Sequence, residues 1–174
     1  MSDFVKSLIK DIIGAAILAA VVISFVRPTI VKQTSMQDTL NPNDYIIMYR
    51  MAYSGDKEPK RGDIVIFKSE LQDENGKNKL LIKRVIGLPG DKITINDGKV
   101  YINDKEYDES YLKDGYTTGS VNNFKVPKGE YFVMGDNRVV SIDSRYSEVG
   151  CIKKDAIKGR AVLRLFPFTK IKKL

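Results

Sequence analysis

A chain of 174 residues with a formal net charge of +7, one cysteine and no histidine is long enough for a single domain with its own core. Cys151 alone cannot form an intrachain disulfide or a cysteine zinc site. Without histidine, Ser-His-Asp and Cys-His catalysis are excluded. A nucleophilic serine would need another base, and lysine serves once burial lowers its pKa.

In chain order, the first element is apolar. Ile12 to Val26 carries neither charge nor proline, between Lys6, Lys10 and Asp11 before it and Arg27-Pro28 after it. At ~1.5 Å per residue this run covers ~22 Å, short of a ~30 Å hydrocarbon core. Leu8, Ile9 and, past the proline, Ile30 lengthen it, with Lys6 and Lys10 snorkelling outward. A retained membrane span is the favoured reading; a cleaved signal peptide and a buried core helix are the alternatives. The flanking charges nearly cancel and leave the orientation open.

After Pro42 the period changes to that of strands. Residues 44–51, 63–67, 80–87, 92–96, 99–103, 130–135 and 161–166 are rich in β-branched and aromatic side chains, each bounded by Gly, Pro, Asn or Asp. Asp97-Gly98, between "ITIN" and "KVYIN", predicts a two-residue hairpin turn, and Asn103-Asp104 predicts a second. Polar stretches at 54–62, 70–79 and 104–123 read as loops or small insertions. The expected fold is mostly β, an antiparallel body behind one N-terminal transmembrane helix. Residues 1–30 form the anchor and residues 31–174 the body.

From Lys153 onward eight basic residues face Asp155 alone, so the whole excess charge sits in this tail. Anionic lipid headgroups are its expected partner ahead of nucleic acid, with a merely solvated tail as the equal alternative.

Three stretches could carry chemistry. In "VKQTSMQDTL" Ser35 follows directly on the apolar run, which suits a substrate embedded at the membrane boundary; alone, such a serine is usually a turn hydroxyl. In "LLIKRVIGLPGD" alternation places Leu81, Lys83 and Val85 on one face, so Lys83 lies among aliphatic neighbours that disfavour its charge. Its bland counterpart is an edge-strand lysine that guards against aggregation. Arg84, on the other face, is an ion-pair partner. In "MGDNRVVSIDSR" a turn at Gly135-Asp136-Asn137 precedes Ser141, Asp143, Ser144 and Arg145. Asp136 and Asp143 can pair with Arg84 and Arg145, and a serine there could hydrogen-bond the lysine amine.

Together these stretches resemble the type I signal peptidases, membrane-bound serine proteases with a Ser-Lys dyad, in their Gram-positive bacterial form. The resemblance rests on "SMQDTL", "RGDIVIF", "KRVIGLPGD" and "GDNRVVSIDSR", in that order after a membrane span. It implies Ser35 as nucleophile, Lys83 as general base and Ser141 as the serine that orients the lysine. Arg84, Asp136, Asp143 and Arg145 take the supporting charge network. The Ser35 backbone N–H is one oxyanion donor, and Gln33 is the candidate for a second. Signal peptides of exported proteins would bind as an added strand beside Leu80, Leu81 and Ile82, with small side chains at positions −1 and −3. The resemblance also implies a cytoplasmic N-terminus, a catalytic domain outside the cell membrane with an apolar surface resting on it, and no metal or other cofactor; that surface is expected near Ser35 and to include Met36.

Asp38 departs from the family's Ser-Met-x-Pro-Thr-Leu pattern, where proline stiffens the turn. It raises two expectations: a negative charge close to Lys83, and narrow specificity for pilin or other surface proteins. A non-catalytic helper in surface-protein assembly is the alternative of a different class. A self-cleaving Ser-Lys repressor is disfavoured, since an apolar run stands where DNA-binding helices would be needed.

Overall fold

The computed structural model describes residues 3–174; Met1 and Ser2, counted in the anchor, lie outside the described residues. Asp3–Phe25 form one helix, α1, of 23 residues, none of them buried. At ~1.5 Å per residue it reaches ~34 Å, enough to cross a bilayer. An apolar helix that packs against nothing of its own chain is not a core helix, and it makes this a single-pass membrane protein.

The helix stops for a local reason. Proline disfavours helical backbone at the residue before it, here Arg27, and the chain turns extended at Val26. Val26–Ile30 (β1) then pairs with Tyr45–Tyr49 (β2) along its whole length. At the sheet edge Pro28 can do without a donor. Ile30 is therefore a strand residue opposite Tyr45, and the span ends short of the place the apolar count expected.

The remaining strands are Ile64–Gln72 (β3), Asn78–Gly87 (β4), Lys92–Asn96 (β5), Lys99–Ile102 (β6), Lys105–Glu106 (β7), Val121–Lys125 (β8), Glu130–Met134 (β9), Ile152–Lys153 (β10), Ile157–Phe166 (β11) and Lys172–Lys173 (β12). The larger sheet runs β1-β2-β11-β3-β4-β9-β10 with β12 beside β11, and the smaller runs β7-β6-β5-β8; every strand pairing among the described residues is antiparallel. Both predicted turns form. Asp97 and Gly98 have φ of 50° and 77°, and Asn103 and Asp104 have 53° and 66°, the left-handed pair that a two-residue hairpin requires.

Two expectations change. Half of residues 70–79 is strand, because β3 and β4 run on to a tip at 73–77. The alternation there is polar: Ser69 is the buried member, and its Oγ donates to the Lys79 carbonyl at 3.0 Å. The basic C-terminal stretch is no solvated tail either. It supplies β11 at the centre of the sheet, and Arg164 is buried on Asp44 Oδ2 (3.3 Å) and the Thr39 carbonyl (2.9 Å).

Candidate active site

Two elements meet at Ser35. The first is the turn at 34–39, seated by Met36 and Leu40, which are fully buried with Val31, Ile46 and Met48. Met36, expected to face lipid, is instead the anchor that holds the serine in place. Backbone bonds close the turn: Gln37 N–H to the Thr34 carbonyl (3.0 Å) and Leu40 N–H to the Met36 carbonyl (2.8 Å).

The second element is β4. Its burial alternates as expected, with Leu81, Lys83 and Val85 turned inward. Lys83 is 1% exposed and its Nζ lies 2.6 Å from Ser35 Oγ. Burial pushes the Lys83 pKa down to about 8; the charge of Asp143 opposes this, Arg145 assists it, and Asp136 opposes it in turn. No carboxylate reaches the amine in an ion pair among the described residues. The ammonium donates to Oγ; once neutral, Nζ can accept the proton of the same hydroxyl.

The loop after β9 wedges these elements together. Gly135 is required: a Cβ there would fall 2.4 Å from the Ser35 carbonyl oxygen and 2.3 Å from Ser141 Oγ. Asn137 N–H donates to that Ser35 carbonyl at 3.0 Å. Asp143, 0% exposed, accepts from Gly135 N–H (2.9 Å) and from both Nε and Nη2 of Arg145 (2.9 Å each). Arg84 forks onto Asp136 at 2.9 and 2.6 Å and reaches the Gly62 carbonyl at 3.0 Å. Ser141 stands apart: its Oγ is buried beside Gly135 with no hydrogen-bond partner among the described residues, so the expected bond to the lysine amine is not formed here.

The sequence reading passed over one further group. Arg138 and Glu109 form a buried ion pair, with side chains 2% and 8% exposed. Arg138 Nε also donates to the Gly135 carbonyl at 3.0 Å. Tyr111 donates to Glu109 Oε1 at 2.7 Å, and its ring lies under the Arg84 guanidinium at 4.0 Å. One short piece of the polar stretch 104–123 thus supports both Arg84 and Arg138. Only the "ESYL" acid and ring hinted at this, and their partners are distant in sequence.

Beside the serine lies a groove of about 730 Å³ floored by Met36, Met48, Ile66 and Ile82 and walled by residues 27–33 and 78–80. Gln33 is exposed on its wall. The Ser35 amide N–H donates to no group among the described residues. β9 covers β4 only from Arg84 onward, so one edge of Leu80, Leu81 and Ile82 is open to another strand. Leu80 and Ile82 line the groove, while the Leu81 side chain is packed in the core. Asp38 points elsewhere: its carboxylate is 3.7 Å from Lys113 Nζ at the surface and is not among the charges acting on Lys83. The expected charge beside the lysine is therefore absent. No cluster of three His, Cys, Asp or Glu side chains is placed to hold a metal ion among the described residues.

Known proteins share this organisation. The family described as signal peptidase, peptidase S26, matches residues 5–166. The chain is 40% identical over 176 residues to signal peptidase I of Bacillus licheniformis, across 95% of this chain and 90% of that one. It is 36% identical to the probable signal peptidase I-2 of Synechocystis sp., across 93% and 73%. A crystal structure of a signal peptidase I from Enterococcus faecalis V583 superposes with a TM-score of 0.52 at 32% identity, covering 62% of this chain and all of that one.

Proposed function

This chain belongs to the signal peptidase family, peptidase S26, and from that premise we propose that it cuts signal peptides from exported proteins with Ser35 as nucleophile and Lys83 as general base. The family makes it a serine peptidase; the residue roles are our reading. The observation that carries them is the 2.6 Å contact between Lys83 Nζ and Ser35 Oγ, made by an amine that is buried and without a carboxylate partner.

The steps follow from the geometry. Neutral Lys83 takes the hydroxyl proton as Ser35 Oγ bonds to the scissile carbonyl carbon. The carbonyl oxygen, now negative, is met by the unpartnered Ser35 N–H, with Gln33 on the groove wall as second donor; each such donor is worth about 3 kcal/mol. Lys83 passes its proton to the departing amine as the peptide bond breaks. Water, deprotonated by the same amine, then releases the acyl group from Ser35. For Ser141 the lysine-orienting role is taken from the family resemblance; its buried hydroxyl lies against the same glycine as Ser35 but makes no bond to the amine here. Asp136, Asp143, Arg84 and Arg145 hold the frame.

We place the membrane anchor at the N-terminal end, with the cytoplasm before α1 and the catalytic body outside, and we set their boundary at the turn from helix to β1. Asp38 faces Lys113, so specialisation for pilin or other surface proteins rests on a looser turn alone. The close Ser35–Lys83 contact favours catalysis over the helper role. The test is cleavage of a reporter pre-protein by the full chain in detergent. Wild type should process it, and Ser35→Ala, still folded, should not. Processing by Ser35→Ala at the wild-type rate would end the proposal.

A further inference from the structure

The groove beside Ser35 is unevenly charged. Arg27, Lys32, Arg50, Lys79 and Lys158 line it against a single carboxylate, Asp73. None of the five cationic side chains is in an ion pair or a side-chain hydrogen bond among the described residues. Asp73 is occupied at its own turn, where Oδ1 accepts from the N–H groups of Asn75 and Lys77 at 2.9 Å. Some surface cations elsewhere are paired, as with Lys92–Asp104 and Lys99–Glu106; what sets these five apart is that they line one groove. Unpaired charge of one sign in a concave site concentrates its field there.

Position says what this charge meets. Arg27 lies just past the end of α1, and Arg50 N–H donates to the Phe25 carbonyl at 2.8 Å, so these cations mark the end of the groove nearest the membrane. A signal peptide reaches Ser35 from that side, because its apolar segment lies in the bilayer. We propose that this end of the groove is a subsite for acidic side chains of the substrate, about five to seven residues upstream of the scissile bond. The span is the six positions from Gln33 back to Arg27, stepped at ~3.3 Å per residue by a parallel-running extended chain. The inference rests on the signal-peptide reading above. A substrate is favoured over a lipid headgroup because the cations line a channel that continues to the nucleophile.

The test uses peptides of one cleavage region bearing Asp, Ser or Lys at those upstream positions. Binding is measured by fluorescence anisotropy on full-length Ser35→Ala in neutral detergent. Kd should rise in the order Asp, Ser, Lys, by about five- to tenfold across the series at low salt, and the spread should collapse in high salt. Adding Lys79→Glu and Lys158→Glu leaves three cations against three carboxylates in the groove and should collapse the order. Equal Kd values for all three peptides overturn the subsite. So does a double variant that loses retention on phosphatidylglycerol vesicles yet keeps the peptide order, since the cations would then serve lipid. Hydrolysis by wild type is read separately. Cleavage without a charge order sinks the subsite alone, and a charge order without cleavage keeps the subsite and sinks the peptidase roles.

Discussion

Lys83 and Arg84 are neighbours on one strand, cationic and removed from water, yet their surroundings are opposite. Arg84 faces Asp136 in a two-pronged pair and rests on the Tyr111 ring. Burial pulls its pKa down, but the hydrogen bond and charge of Asp136 more than offset this and raise it. Lys83 receives the same burial with no direct counter-ion, and its pKa falls to about 8. Alternation on β4 makes the separation possible, since adjacent side chains leave the strand on opposite faces. On the proposed roles, the cation that serves the frame is paired, while the one that must give up its proton has no direct partner.

The largest effect should come from breaking the unpaired side. Lys83→Met removes the base, and loss of general-base catalysis typically costs 10²–10⁴-fold, so hydrolysis of the reporter should fall by about a thousandfold or more. The same change should stabilise the protein. The shift from 10.5 to about 8 is about 3 kcal/mol held against the charged amine at neutral pH. Because the folded pKa is the lower one, the unfolded chain binds the extra proton between about pH 8 and 10.5. The penalty is complete below that window and fades across it as pH rises. Denaturant titrations should show Lys83→Met ahead of wild type at pH 7, with the gap shrinking above pH 8; a variant that is less stable at pH 7 would contradict the unpaired-cation picture.

Breaking the paired side should act through the fold. Arg84→Met leaves Asp136, whose side chain is 1% exposed, charged and alone, which costs about 3–5 kcal/mol for a buried pair. Glu109→Gln withdraws the charge opposite Arg138 and should cost about 2–3 kcal/mol. Both should lower Tm before they alter chemistry, and what activity survives at low temperature should keep the wild-type pH limb. A sharp loss of kcat in Glu109→Gln at unchanged Tm would instead give that residue a direct part in the reaction.

The sequence made one side of this comparison easier to read than the other. The aliphatic neighbours of Lys83, the missing histidine and the position of Ser35 all lie in short local patterns. Asp136 and Arg84 could be paired on motif chemistry. Glu109 and Arg138 could not, because their contact depends on how a polar insertion folds back over the loop after β9. Met36 was misread for a related reason: beside a membrane segment an apolar side chain has two places to go, and only the packing with Leu40 and Ile46 decides between them. Arg164 looked like part of a basic tail until β11 carried it into the sheet, where Asp44 and the Thr39 carbonyl hold it.

A milder test moves pH alone. With Lys83 as the proposed base, neutral amine is the active form, so kcat/KM should climb tenfold per unit well below pH 8 and level off above it, with an apparent pKa near the value of about 8 set by burial. A flat profile from pH 6 to 9 would mean that Lys83 is not the titrating base, or that a step other than chemistry limits the rate.

The smallest effect is expected at Asp38. Proline at this position would remove a backbone donor, but the Asp38 amide N–H donates to no group among the described residues, so Asp38→Pro sacrifices no hydrogen bond there. Its carboxylate is 60% exposed and 3.7 Å from Lys113, which is 77% exposed, a pairing worth little in water. Where proline suits the backbone it restricts the unfolded chain and stabilises by about 0.4–1 kcal/mol. Asp38→Pro should therefore raise Tm slightly, and both it and Asp38→Asn should leave the acid limb of the pH profile in place, because the charge they remove does not bear on Lys83. A limb shifted downward in both variants would put that charge back beside the amine. A wider range of signal peptides cleaved by Asp38→Pro alone, at an unmoved limb, would trace specialisation to the looseness of the turn that carries Ser35.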